Sequence, residues 1–107
     1  MLDHAREAVI LARVRARVDL DRDRVFSLAL VRLLEIVGEA AGRIAEDART
    51  RYPEVPWAQI IGLRNRLIHG YDAVDFDILW EIVTRDLPSL VETLERAVRA
   101  EAGPGGP

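Results

Sequence analysis

The chain has 107 residues, half of them hydrophobic, six per cent aromatic and none cysteine, with a formal net charge of −3 and every one of its fifteen basic residues an arginine. That length suits one domain with a small core, and the lack of cysteine excludes disulfides and thiolate metal sites and makes a cytoplasmic setting the expectation. No apolar run approaches the roughly 20 residues of a membrane span, Met1-Leu2-Asp3-His4 lacks signal-peptide character, and the acidic balance excludes a broad nucleic-acid-coating surface, so any RNA contact must be local.

The first predicted helix runs from about Leu2 to Val18, with Ala5, Ala8, Val9, Leu11, Ala12 and Val14 as its apolar set. Arg6, Arg13 and Arg17 share another face, read as a solvated stripe in preference to an RNA contact. Asp19-Leu20-Asp21-Arg22-Asp23 is a turn. A calcium loop would need glycine where Arg24 stands and glutamate where Leu30 stands, so Asp21 or Asp23 is expected to cap the next helix instead. That second helix, about Asp23 to Arg51, has a wide apolar arc through Phe26, Leu30, Leu33, Val37 and Ile44. Opposite lie Glu35, Gly38, Glu39 and Gly42. The glycines allow close helix packing; the glutamates either face Arg64 of the following helix or pair with Arg32 and Arg43 on their own.

Pro56 suits the first turn of a third helix, and Gly70 is expected to stop it. Asp75 or a neighbour opens a fourth helix, which Pro88 must kink or divide before it resumes through Leu90, Leu94 and Val98. Residues 103–107, rich in glycine and proline, read as a disordered tail. Nothing reads as a strand, and there are no repeats. The fold class is all-α.

The third helix carries an anomaly. At about 100° per residue, Trp57, Ile60, Ile61, Leu67 and Ile68 all fall within roughly 60° of Arg64, which places a guanidinium at the centre of an apolar stripe. Such a group is almost never buried unpaired, so a carboxylate or a phosphate must meet it. Ala58, Gly62, Asn65 and His69 form a second stripe, in which two small residues admit another backbone and an imidazole offers acid–base chemistry. Spacing alone also allows a salt-bridged arginine and a histidine at a helix end.

Arg64-Asn65, three residues, His69, one residue, Tyr71, three residues, Asp75 resembles the signature of the HepT group of HEPN domains. The flanks agree: Leu34-Glu35-Ile36-Val37-Gly38-Glu39-Ala40 upstream, Val55-Pro56-Trp57 before the motif, then Leu79-Trp80-Glu81-Ile82-Val83 and Asp86-Leu87-Pro88 after it. The resemblance implies a four-to-five-helix up-down bundle over residues 1–102 and a homodimer whose motif helix lines the interface cleft. It implies an endoribonuclease using an Arg-x4-His motif, with Arg64 and His69 as catalytic residues. Beside it, Asn65 is read as a third catalytic residue that orients the phosphate or the imidazole, Glu35 and Glu39 as support, and no metal or cofactor is expected. Tyr71 matches the tyrosine that, in this group, receives AMP from a MntA-like nucleotidyltransferase antitoxin. Cleavage through the 2′-hydroxyl predicts a 2′,3′-cyclic phosphate product and no action on DNA. Two other readings stand beside it. One is a non-catalytic HEPN module that binds nucleotide or protein and partners a nucleotidyltransferase; the other is a helical dimer with a buried ion pair and no ligand.

Overall fold

The computed structural model describes residues 1–69 and 73–102. Helix α1 (Leu2–Arg13) buries Ala5, Ala8 and Ala12, and these small residues on one face let it lie close against α3 (Arg24–Gly42) and α8 (Leu87–Ala102). It stops at Arg13 rather than at Val18. Val14 is 86% exposed, so a further turn would have had nothing apolar to bury. A four-residue helix, α2 (Asp19–Arg22), takes its place and buries Leu20.

The arginines expected on one solvated stripe separate accordingly. Arg6 pairs with Glu95 of α8 at 3.5 Å. Arg17, beyond the end of α1, bonds both Asp21 and Asp77 at 2.9 Å. The bond to Asp77, followed by the attraction of Asp21, outweighs partial desolvation and raises the pKa of Arg17. Arg17 therefore pins the α1–α3 connection to the start of α7 (Phe76–Glu81).

Helix α3 (Arg24–Gly42) is the spine. Asp23 caps it, accepting a hydrogen bond from the backbone N–H of Phe26 at 3.1 Å. Phe26, Leu30, Leu33, Leu34, Val37 and Ala41 are buried along it. The expected continuation to Arg51 fails at Gly42, a poor helix former. The next helix, α4 (Glu46–Arg51), buries no residue, so no packing extends the spine through the break. Arg49 Nε donates to the Ile44 carbonyl at 3.0 Å, answering an acceptor that the break leaves over. Gly38 does allow a close approach: a Cβ there would lie 3.1 Å from the carbonyl oxygen of Ile60. Gly42 has nothing within 4 Å and serves no such contact.

The third helix of the sequence reading is two short ones, α5 (Trp57–Ile61) and α6 (Leu63–Leu67), split at Gly62. Both pack on α3. Trp57 Nε1 donates to the carbonyls of Arg49 and Tyr52, each at 3.1 Å, tying α5 to the end of α4. Two residues on either side of the next connection form a small ladder, β1 (Ile68–His69) antiparallel to β2 (Ala73–Val74), where no strand was expected.

Helix α7 (Phe76–Glu81) starts at Asp75, whose carboxylate accepts from the N–H groups of Asp77 and Ile78 at 3.0 and 3.1 Å. It passes through a π-turn (Ile82–Asp86) into α8 (Leu87–Ala102). The π-turn is how the chain accommodates Pro88: a proline ring collides with the carbonyl four residues back, and a wider turn relieves that contact. Leu79, Ile82, Val83, Leu87, Leu90 and Leu94 complete the core from this side. The result is an all-α bundle apart from the two-residue ladder. Among the described residues, no helix is long and apolar enough to cross a membrane.

Candidate active site

The motif occupies α6 and β1. Gly62 ends α5, with its N–H bonded to the Ala58 carbonyl at 3.0 Å, and its own carbonyl accepts from Arg66 at 3.1 Å inside the next turn. The buried face of this double helix is Ile60, Leu63 and Leu67, at 3, 4 and 1% exposure. That corrects the wheel. The stripe centred on Arg64 omits Leu63, and with Leu63 included the buried arc rotates away from Arg64. Ile61 is 40% exposed and Arg64 is exposed. The guanidinium thus stands in solvent on the flank of the helix, not within the core.

The expected carboxylate partners are elsewhere. Glu39 pairs with Arg32 on its own helix at 3.5 Å. Glu35 is half-buried and makes no ion pair among the described residues. Arg64 likewise has none among them. Two residues on, Arg66 reaches Asp86 of the π-turn at 3.5 Å. That contact joins α6 to the far end of the chain, and periodicity gave no sign of it.

The helix stops at Leu67, three residues before Gly70. The Leu67 carbonyl, which in a continuing helix would accept from residue 71, instead accepts from Asp75 N–H at 2.8 Å. Ile68 then pairs with Val74, and His69 with Ala73. His69 is therefore not one helical turn above Asn65 on a shared face. Arg64 and Asn65, both exposed, sit on α6, and the His69 backbone sits on a strand that leaves it. The stripe Ala58, Gly62, Asn65, His69 is broken at its last member. Gly70, Tyr71 and Asp72 lie outside the described residues, and so does the expectation that Tyr71 accepts AMP; residues 103–107 lie outside them as well. Of the acidic residues after the motif, Asp75 is a helix cap and Asp77 the partner of Arg17.

This arrangement offers a solvent-facing cation and amide on a short helix that runs directly into the histidine-bearing strand. Gly38 fixes α5 against α3, and Asp75 fixes the base of the ladder. An anionic group approaching α6 meets Arg64 without displacing a protein carboxylate from it, since none among the described residues holds it. A phosphate is a suitable ligand for such a group.

Comparison with known proteins gives the same direction. Residues 1–97 match the family described as Ribonuclease HepT-like. A candidate RNase of Methanocaldococcus jannaschii is 42% identical over 73 residues, covering 68% of this chain and 67% of that protein. A candidate RNase of Caldanaerobacter subterraneus is 36% identical over 83 residues, 78% of this chain and 74% of its own. A candidate ribonuclease HepT of Thermococcus cleftensis is 40% identical over 74 residues, covering 69% and 67%. No solved structure matches significantly. On its motif, its all-α bundle and a family match that spans nearly the whole chain, the protein belongs to the HepT-like HEPN ribonuclease family.

Proposed function

We propose that this protein is the toxin of a type VII toxin–antitoxin pair, a cytoplasmic endoribonuclease that acts as a homodimer without metal and is silenced by AMP placed on Tyr71. The observation that carries the reading is Arg64, exposed on α6 beside Asn65, unanswered by any described carboxylate, and one element away from His69. Family membership and relatives named as RNases support RNA as the substrate.

In this chemistry the substrate's own 2′-oxygen attacks the adjacent phosphorus and the bond to the 5′-oxygen breaks. The products are a 2′,3′-cyclic phosphate and a 5′-hydroxyl. One group must take the 2′-proton and another must protonate the leaving oxygen. One His69 performs one of these tasks, and a second copy of the chain, brought up about a two-fold axis, performs the other. Arg64 stabilises the charge that builds on the non-bridging oxygens, and Asn65 orients the phosphate. DNA lacks the attacking hydroxyl and is spared.

Silencing follows from charge. A MntA-like nucleotidyltransferase would join the Tyr71 phenolic oxygen to the α-phosphorus of ATP, with pyrophosphate leaving and the phenolic proton passing to solvent. The phosphodiester so formed lies two residues from His69 and competes for Arg64 with the substrate phosphate.

The test is cleavage of mixed RNA in EDTA by protein shown by mass spectrometry to be unmodified, beside His69→Ala. The expected result is cyclic-phosphate ends from the wild type and a loss of about 100-fold or more in the variant. A magnesium-dependent cut that leaves a 5′-phosphate overturns the mechanism. If verified unmodified protein cuts nothing, the chain is a nucleotide- or protein-binding HEPN module instead. Tyr71→Phe should escape silencing when the cognate transferase and ATP are added.

A further inference from the structure

A cleft of about 350 Å³ opens between α1 and the π-turn, and none of its lining residues comes from the motif segment. Val9 and Ala12 form one wall and Val83 another; Arg13, Arg15 and Trp80 also line it. Three observations bear on what it holds.

The first is Trp80. It is half-buried, and its indole N–H has no hydrogen-bond partner among the described residues, whereas the Trp57 indole is bonded to two carbonyls. A tryptophan that lines an open cleft with its donor unused suits a planar, polar-edged ligand. The second is the pair of cations. Arg15 is held in place by Asp23 at 3.2 Å and stacks over the Phe26 ring, 4.7 Å from its centroid. Arg13 is exposed at the end of α1 with no carboxylate partner among the described residues. The third is the wall itself. The Thr84 hydroxyl donates to the Trp80 carbonyl at 2.7 Å, a back-bond of the kind that bends a helix, at the entry to the π-turn, a distortion that recurs at functional sites. An aromatic face flanked by two arginines is the chemistry that takes a nucleotide: base on the ring, phosphate on the guanidinium groups.

We infer that this cleft is a second nucleotide-binding site, in which a base of the RNA strand stacks on Trp80 while neighbouring phosphates meet Arg13 and Arg15. The inference rests on the ribonuclease reading and extends it to a substrate contact away from Arg64 and His69. In a chain of net charge −3, such a local contact supplies strand affinity that the surface as a whole does not.

The experiment uses an end-labelled 2′-O-methyl oligoribonucleotide, which cannot be cut, and reads binding by fluorescence anisotropy. Trp80→Ala should weaken binding about tenfold and Trp80→Phe should recover most of it. Arg13→Ala should weaken binding and lower the salt dependence by about one counterion. If Trp80→Ala melts normally and binds like the wild type, the inference is overturned; if it does not fold, Arg13→Ala decides in the same way. AMP that competes as well as the oligonucleotide, with cleavage untouched in Trp80→Ala, would assign the cleft to a free nucleotide and overturn the strand assignment. Trp80-dependent binding without any cutting by the wild type sinks the ribonuclease reading and leaves the cleft standing. Cutting without Trp80-dependent binding does the reverse.

Discussion

In the body of the bundle, α1 and α3 meet through buried alanines, leucines and a valine, and two arginines beside them are paired across elements, Arg6 with Glu95 and Arg17 with Asp77. In the motif segment, a helix of five residues carries an arginine and an asparagine out into solvent and runs into a strand of two. The contrast is sharpest between two arginines of the same short helix: Arg66 is tied to Asp86, and Arg64 to nothing described. Arg66 helps hold α6 to the body. Arg64 is held out from it. A surface ion pair contributes about 0–1 kcal/mol, so an unpaired arginine sacrifices little stability and keeps its charge available for a ligand.

Four substitutions would break or sharpen that contrast. The largest effect belongs to Arg64→Ala, which should lower the cleavage rate by roughly 10²–10³-fold with no change in melting temperature. A matching fall in stability would place Arg64 in the body after all. Leu30→Ala, at a fully buried position of α3, should behave oppositely. It should cost roughly 3 kcal/mol in a denaturant titration while the folded fraction cuts at the wild-type rate. Gly38→Val crosses the boundary, because its side chain would press on the Ile60 carbonyl that lies 3.1 Å from the Cβ position. We expect a loss of about 1–3 kcal/mol and reduced cleavage together, since α5 carries α6. Gly42→Ala, with open space around it, should change stability by less than about 1 kcal/mol and leave cleavage alone.

The smallest effect is in pH. The Phe26 N–H, with Arg15 second, holds the Asp23 carboxyl below its ordinary value of 3.8. A depressed folded pKa means that the cap contributes fully above that ordinary value and is lost as pH falls through the lower, folded one. The melting temperature should therefore decline on acidification below 3.8, and Asp23→Asn, which keeps a cap acceptor that does not titrate, should flatten that part of the curve. An unchanged slope in the variant would assign the decline to other carboxylates.

Much of the body was legible because its causes are local. The apolar arc of α3, the caps at Asp23 and Asp75, and the disturbance at Pro88 each follow from a residue type and its immediate neighbours. Helix ends were less so. α1 stops at Arg13 and α3 at Gly42 because the next turns would bury nothing, and what is available to bury depends on where the other helices lie. The motif segment was read as one helix for the same reason. Its residues tolerate a helix through His69, but the Leu67 carbonyl finds Asp75 and the Ile68–Val74 pairing forms instead.

The sequence by itself determined the all-α class, the starts of α1, α3, α5 and α7 and the residues of the motif, Arg64, Asn65, His69 and Tyr71, since spacing and residue type are properties of the chain alone. Tertiary structure decided which arginine is free. Arg64 and Arg66 look alike on a wheel until Leu63 joins the buried arc and Asp86 arrives from the far end of the chain. Burial and ion pairing are relations between elements, and a period along one helix does not contain them.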